Sequence, residues 1–190
     1  MKQTVGILLA GGQSRRFGEP KAFAKYEGQP FYRYSVEALR PFCEEIIVVT
    51  RPEFVERFPR DLHVTTDSDL FAGMGPLAGI LSAMELVDAE RYIVLPCDMP
   101  FMEHDVIANL LARHQGDVTG VTVEGKLHPL VSIWRGTVKP TIRQALLENN
   151  RRVMHVQALH QVEWIEGNLL TNQPELAFKN VNTPCELERR

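Results

Sequence analysis

Cysteine is scarce: Cys43, Cys97 and Cys185 are odd in number and widely spaced, which excludes a disulfide frame or a zinc cluster and suits reduced thiols. Long apolar runs are missing too. The first one, Val5 to Ala10, is too short for a signal peptide and runs into glycines and arginines instead of a cleavage site, and no later stretch could span a bilayer. Nor does one charge dominate. The 21 Lys and Arg against 24 Asp and Glu leave a formal net charge of −3, without the electrostatic footprint that nucleic acid or a membrane surface would need. Gly and Pro, 13 and 12 residues, fall far short of a low-complexity composition. These absences predict a soluble, cytoplasmic protein with neither nucleic acid nor membrane as partner. Any anionic ligand must then be met by a few placed cations.

What is present suits a globular fold: 190 residues, 44% hydrophobic and 24% charged, enough for one full-sized domain with its own core. Short aliphatic runs alternate with segments of helical period, the pattern of parallel β-α-β units. Val5 to Ala10, Ile46 to Val49, Leu62 to Thr66 and Tyr92 to Leu95 read as strands; Pro30 to Phe42, Pro52 to Phe58, the segment opened by Pro76, and Glu103 to His114 read as helices. Beyond residue 115 the pattern loosens. Val118 to Val123 and Leu130 to Trp134 could pair antiparallel through a turn at 124–126, followed by a helix from Val138 to Glu148 and a strand near Val162 to Ile165. The expected architecture is a single α/β domain whose ligands sit beyond the carboxyl ends of its strands.

Those strand ends carry the chemistry. After the first strand, Gly11 and Gly12 leave the backbone approachable, and Arg15, Arg16 and Lys21 supply charge-assisted donors for a triphosphate. The loop has neither the GxxxxGK[ST] nor the GxGxxG spacing, so a P-loop ATPase or a dinucleotide dehydrogenase is disfavoured. Read without a ligand, the two glycines are a tight strand-exit turn. Asp98, between Pro96 and Pro100, is aimed off the sheet edge and suits Mg2+, which commonly takes one or two protein oxygens; its other reading is a cap for the next helix. Asp67 fits turn chemistry, or a guanine edge or ribose hydroxyl. Cys97 lacks a His-Asn partner pattern and reads as a small buried side chain. His128 reads as structural, Arg151 and Arg152 as cations at a helix C-terminus, and Asn180 to Thr183 as a helix N-cap.

Leu9-Ala10-Gly11-Gly12 with Ser14, Arg16, Gly18 and Lys21, then Gly75 to Gly79 and Pro96-Cys97-Asp98-Met99-Pro100, resemble the nucleotidyltransferases built on a Rossmann-like fold. His128-Pro129, Arg151-Arg152-Val153-Met154 and Asn180-Val181-Asn182-Thr183-Pro184 are similar to the molybdenum cofactor guanylyltransferase branch. The resemblance implies the three-layer α/β/α fold of nucleotide-diphospho-sugar transferases, mostly parallel with an antiparallel portion. It implies transfer of GMP from GTP to the molybdopterin phosphate with Mg2+, residues 1–114 mainly binding GTP and 115–190 mainly the acceptor, with cofactor-delivery proteins as further partners. By position, Leu9, Ala10, Gly11, Gly12, Lys21, Asp67 and Asp98 would bind GTP; Arg16, Lys21 and Asp98 would serve catalysis, with Asp98 on the metal. Arg151, Asn180 and Asn182 would face the acceptor. One departure stands out: where the family offers Asn after the second strand, this chain has Thr50 and Arg51. A relative using CTP or a sugar-phosphate acceptor, or a catalytically silent nucleotide-binding regulator, are the competing readings.

Overall fold

The computed structural model describes residues 1–12, 19–183 and 186–187. Strand β1 (Lys2–Leu9) carries the first apolar run into the middle of a sheet, where Val5 and Ile7 face one core and Leu8 the other. Burial on both faces is why the run is continuous and not alternating. β2 (Lys25–Tyr26) and β3 (Gln29–Pro30) form a separate small hairpin, turned by Glu27 and Gly28 at φ 47° and 82°. The main sheet is completed by β4 (Glu45–Val49), β5 (His63–Thr65), β6 (Ala89–Pro96), β7 (Val118–Val123), β8 (Lys126–Arg135) and β9 (Glu163–Glu166). Its order is β5-β4-β1-β6-β8-β7-β9. Only the two ladders that β8 makes, with β6 and β7, are antiparallel.

Helices cover both faces. α2 (Pro76–Leu86), α4 (Lys139–Leu147) and α5 (Val153–Leu159) close one core through Leu77, Ile80, Ile142 and Val156. α1 (Phe31–Leu39), α3 (His104–Arg113) and the short α6 (Pro174–Ala177) close the other through Leu39, Ile107, Leu110 and Ala177. The layers are α/β/α, as the resemblance to the nucleotidyltransferases implies. Among the described residues no helix is long and apolar enough to cross a membrane.

Several local expectations change. Pro52–Arg57 is a 3-10 turn, since six residues do not sustain a free α-helix. β8 starts at Lys126, four residues before the predicted Leu130, because Glu124 and Gly125, at φ 51° and 75°, make a tight hairpin turn. Arg151 and Arg152 do not end a helix: α4 stops at Leu147, Asn149 turns left-handed at φ 58°, and Arg152 stands at the start of α5. There a cation gains nothing from the helix dipole, so that explanation of the pair fails.

Candidate active site

β1 lies between β4 and β6, with Leu9 in register with Val49 on one side and Pro96 on the other, so three strands end in one row. The ladders continue just past the strands. Ala10 N–H donates to Val49 O at 2.8 Å, Cys97 N–H to Leu9 O at 3.1 Å and Thr50 N–H to Thr65 O at 2.9 Å. Over this row opens a cleft of about 850 Å³, at the point where connections leave β1 in both directions. Leu9, Ala10, Gly11, Gly12, Lys21, Asp67, Asp98, Asn180 and Asn182 all line it. Arg15 and Arg16 lie outside the described residues. Arg151 does not join them; it borders a separate shallow depression with Asn149, Arg152 and His155.

Gly11 and Gly12 are not held in left-handed backbone. Neither has a positive φ, a Cβ on Gly12 would meet nothing within 4 Å, and one on Gly11 would make ordinary contact at 3.8 Å with Thr50 and Arg51. Among the described residues, then, neither left-handed backbone nor a crowded neighbour asks for glycine at these two positions, and both line the cleft.

Lys21, from a 3-10 turn over Lys21–Phe23, sits at the centre: its ammonium donates to Asp98 Oδ2 at 3.0 Å and to Asn182 Oδ1 at 2.6 Å. The Asp98 backbone is tied to the same segment, its carbonyl accepting the Val181 N–H at 2.9 Å. Asn182 N–H in turn donates to Glu186 Oε2 at 2.7 Å while its side chain faces Lys21; the helix expected after it falls mostly outside the described residues. Asn180 Oδ1 is buried with no hydrogen-bond partner among the described residues. A buried acceptor in that state is costly until a ligand or water donates to it.

Asp67 does two things. Its Oδ2 accepts the Gly73 N–H at 3.1 Å, which is the expected turn chemistry, while Oδ1 lies 3.5 Å from where a Gly79 Cβ would stand. Burial raises its carboxyl above the ordinary range, and the Gly73 bond offsets part of that. Cys97, wholly buried and beside the Asp98 charge, has its thiol pushed up to about 12, so it supplies no thiolate. The imidazole of His128 is buried 5.5 Å from the Phe178 ring and held below its usual value, first by burial and then by Lys126. It is neutral at neutral pH.

Three more parts of the wall include residues that the sequence motifs name without giving them a site role. Gly75, at φ 86° and ψ −165°, starts α2 in a conformation reserved for glycine, and its Gly-Pro pair was the available signal. Thr50 has its hydroxyl committed to Ala10 O at 3.3 Å, and Arg51 next to it, ion-paired with Glu53 at 2.8 Å, lines the cleft. Residues 126–131 form a further stretch of the lining. The described residues contain no group of three or more His, Cys, Asp or Glu that could cage a metal. The Asp98 carboxylate fits a cation that brings most of its ligands with it, such as Mg2+ with phosphates and water.

Residues 6–162 match the family model of the MobA-like NTP transferase domain. The chain is 38% identical to a probable molybdenum cofactor guanylyltransferase of Geobacillus sp. (strain WCH70), across 99% of this chain and 98% of that protein. It is 36% identical to a protein of the same name from Bacillus subtilis (strain 168), covering 94% and 90%. The crystal structure of molybdopterin-guanine dinucleotide biosynthesis protein A from Archaeoglobus fulgidus superposes with a TM-score of 0.80 at 22% identity, over 97% of this chain and 95% of that one. Agreement of the glycine loop, the Lys21 and Asp98 pair and the strand order with a match of this extent means that the chain belongs to the MobA-like NTP transferase family.

Proposed function

We propose that this protein transfers GMP from GTP to the phosphate of molybdopterin, releasing pyrophosphate and forming a molybdopterin guanine dinucleotide. The observation that carries this reading is the pairing of Lys21 with Asp98 at the middle of one continuous cleft. To one side stand the glycine loop, Arg51, Asp67 and Gly79, which suit a nucleoside; to the other stand 128–131, Asn180 and Asn182, which suit an acceptor. The names of the full-length relatives supply guanine and the molybdenum cofactor as the two substrates. On this reading residues 1–114 serve mainly GTP and 115–190 mainly the acceptor, and the Lys21–Asn182 bond spans the two.

The acceptor phosphate is already an anionic nucleophile. Its oxygen attacks the α-phosphorus, the bond from α-phosphorus to the β-bridging oxygen breaks, and pyrophosphate leaves with the electron pair. No general base is required, and the cleft's histidine, His128, is a neutral group packed on Phe178. Lys21 moves from Asp98 to the phosphates, while Arg16 adds charge from the same loop. Held by Asp98, Mg2+ would neutralise the triphosphate and the departing pyrophosphate. Asn180, with its unpartnered buried oxygen, and Asn182 orient the acceptor. Arg151, outside the cleft, has no place in this set.

The test is a panel of GTP, CTP and ATP with molybdopterin and Mg2+, read as pyrophosphate release. GTP is expected to be used in strong preference. A preference for CTP would make the chain a cytidylyl relative, and release at background with every nucleotide would make it a silent binding protein.

A further inference from the structure

Part of the cleft wall is made by a break in the sheet. Along β7 and β8 the register runs Gly120 to Ser132 and then Val121 to His128, so Pro129, Leu130 and Val131 of β8 have no partner on β7. The other side of β8 is released at the same place, since its ladder with β6 ends at Val94 and Ser132. Three consecutive residues thus bulge from both neighbours, and all three line the cleft. Pro129 could not donate to a ladder in any case. Gly120 allows the break to be covered: a Cβ there would lie 2.4 Å from the Trp164 ring.

A bulge freed from both ladders needs another anchor, and it has one. The Pro129 carbonyl accepts the Ser132 hydroxyl at 3.0 Å and the Gln157 side-chain amide at 2.9 Å, and the Trp134 indole N–H donates to Ser132 Oγ at 2.7 Å. Ser132, Trp134 and Gln157 are all fully buried. Gln157 comes from α5, directly behind the cleft lining and not part of it, and its own Oε1 has no hydrogen-bond partner among the described residues. An apolar side chain would avoid that desolvation cost, and Ser132 alone would keep the carbonyl satisfied. The amide therefore adds position more than stability.

We infer that Gln157 is a positioning residue for the acceptor: through the Pro129 carbonyl it fixes the bulge at 129–131, and with it the surface against which molybdopterin lies. Bulges beside active sites commonly re-aim side chains in this way. The inference rests on the proposed function for the identity of the acceptor. It concerns one wall of the cleft only, and the glycine loop, Lys21 and Asp98 are anchored independently of it.

The test compares wild type, Gln157→Leu and Gln157→Met in steady-state transfer, varying GTP and molybdopterin separately, with thermal unfolding measured alongside. In both variants KM for molybdopterin should rise about tenfold, while KM for GTP and kcat at saturating acceptor stay within about twofold. The unfolding midpoint should stay within a few degrees of wild type. An unchanged molybdopterin KM, an equal rise for both substrates, or loss of folding in both variants would each overturn the inference, the last by making the amide a stability element. A wild type that transfers nothing to molybdopterin overturns the proposed function and this inference together; an active wild type with unaltered variants overturns the inference alone.

Discussion

Lys21 is engaged by both Asp98 and Asn182, and on the proposed function both engagements yield when phosphate and metal bind. Removing either charge leaves its partner behind, so the two substitutions act differently. Asp98→Asn keeps an acceptor oxygen for Lys21 and should fold normally, while Mg2+-dependent transfer falls by about two to three orders of magnitude. Wild-type rates in that variant would remove Asp98 from the mechanism. Lys21→Ala should lower kcat/KM for GTP by at least about tenfold, chiefly through weaker phosphate binding, and an unaltered value would sink its role. At this scale much was legible in the sequence: Leu9 to Gly12, Asp67 and Asp98 follow directly on strands, and strand ends of an α/β sheet share one rim. The direction of a side chain was not legible. Thr50 is polar at a strand end like Asp67, yet its hydroxyl turns back onto Ala10.

α2 begins at the cleft because Gly75 lets the chain reverse at φ 86° and ψ −165° before Pro76 sets the first helical turn. Gly75→Ala should cost about 1 to 3 kcal/mol of stability, since a Cβ is strained there although no neighbour lies within 4 Å of it. Equilibrium unfolding in denaturant measures this directly, and a cost near zero would mean the entry to α2 can relax. Elements with strong periodicity were legible: β1, β6, α2 and α3 stand where apolar spacing puts them, within one to three residues. α5 was not, at seven residues and after a run of polar ones, and neither was the division of β8 by its bulge. Register is decided by pairing partners distant in sequence, which no local pattern records.

For the molecule as a whole, the most perturbed histidine lies away from the cleft, at the end of α3. Burial, then the guanidinium groups of Arg135 and Arg91, push the His114 imidazole from its ordinary value near 6.5 down to about 4, while Nδ1 shares a 2.8 Å hydrogen bond with the buried Thr119 hydroxyl. Below about pH 6.5 the unfolded chain therefore takes up a proton that the folded one refuses. Stability should fall as pH drops from about 6.5 toward 4 and be flat in this respect above it. Unfolding midpoints between pH 7 and 4.5 should show that slope, and His114→Gln should flatten it; the same slope in the variant would place the effect elsewhere. Near-neutral net charge and the β-α alternation were settled by composition and short-range pattern, because burial of apolar runs follows from spacing alone. Nine of the residues named for the site from local motifs do meet in one cleft. Only the tertiary structure decided that Arg151 stands apart from them, that Asn182 reaches Lys21 across 161 residues, and that 129–131 leave the sheet to line the cleft. Each of these depends on contacts between segments remote in sequence, whose geometry is set by how the layers pack and not by any residue's neighbours along the chain.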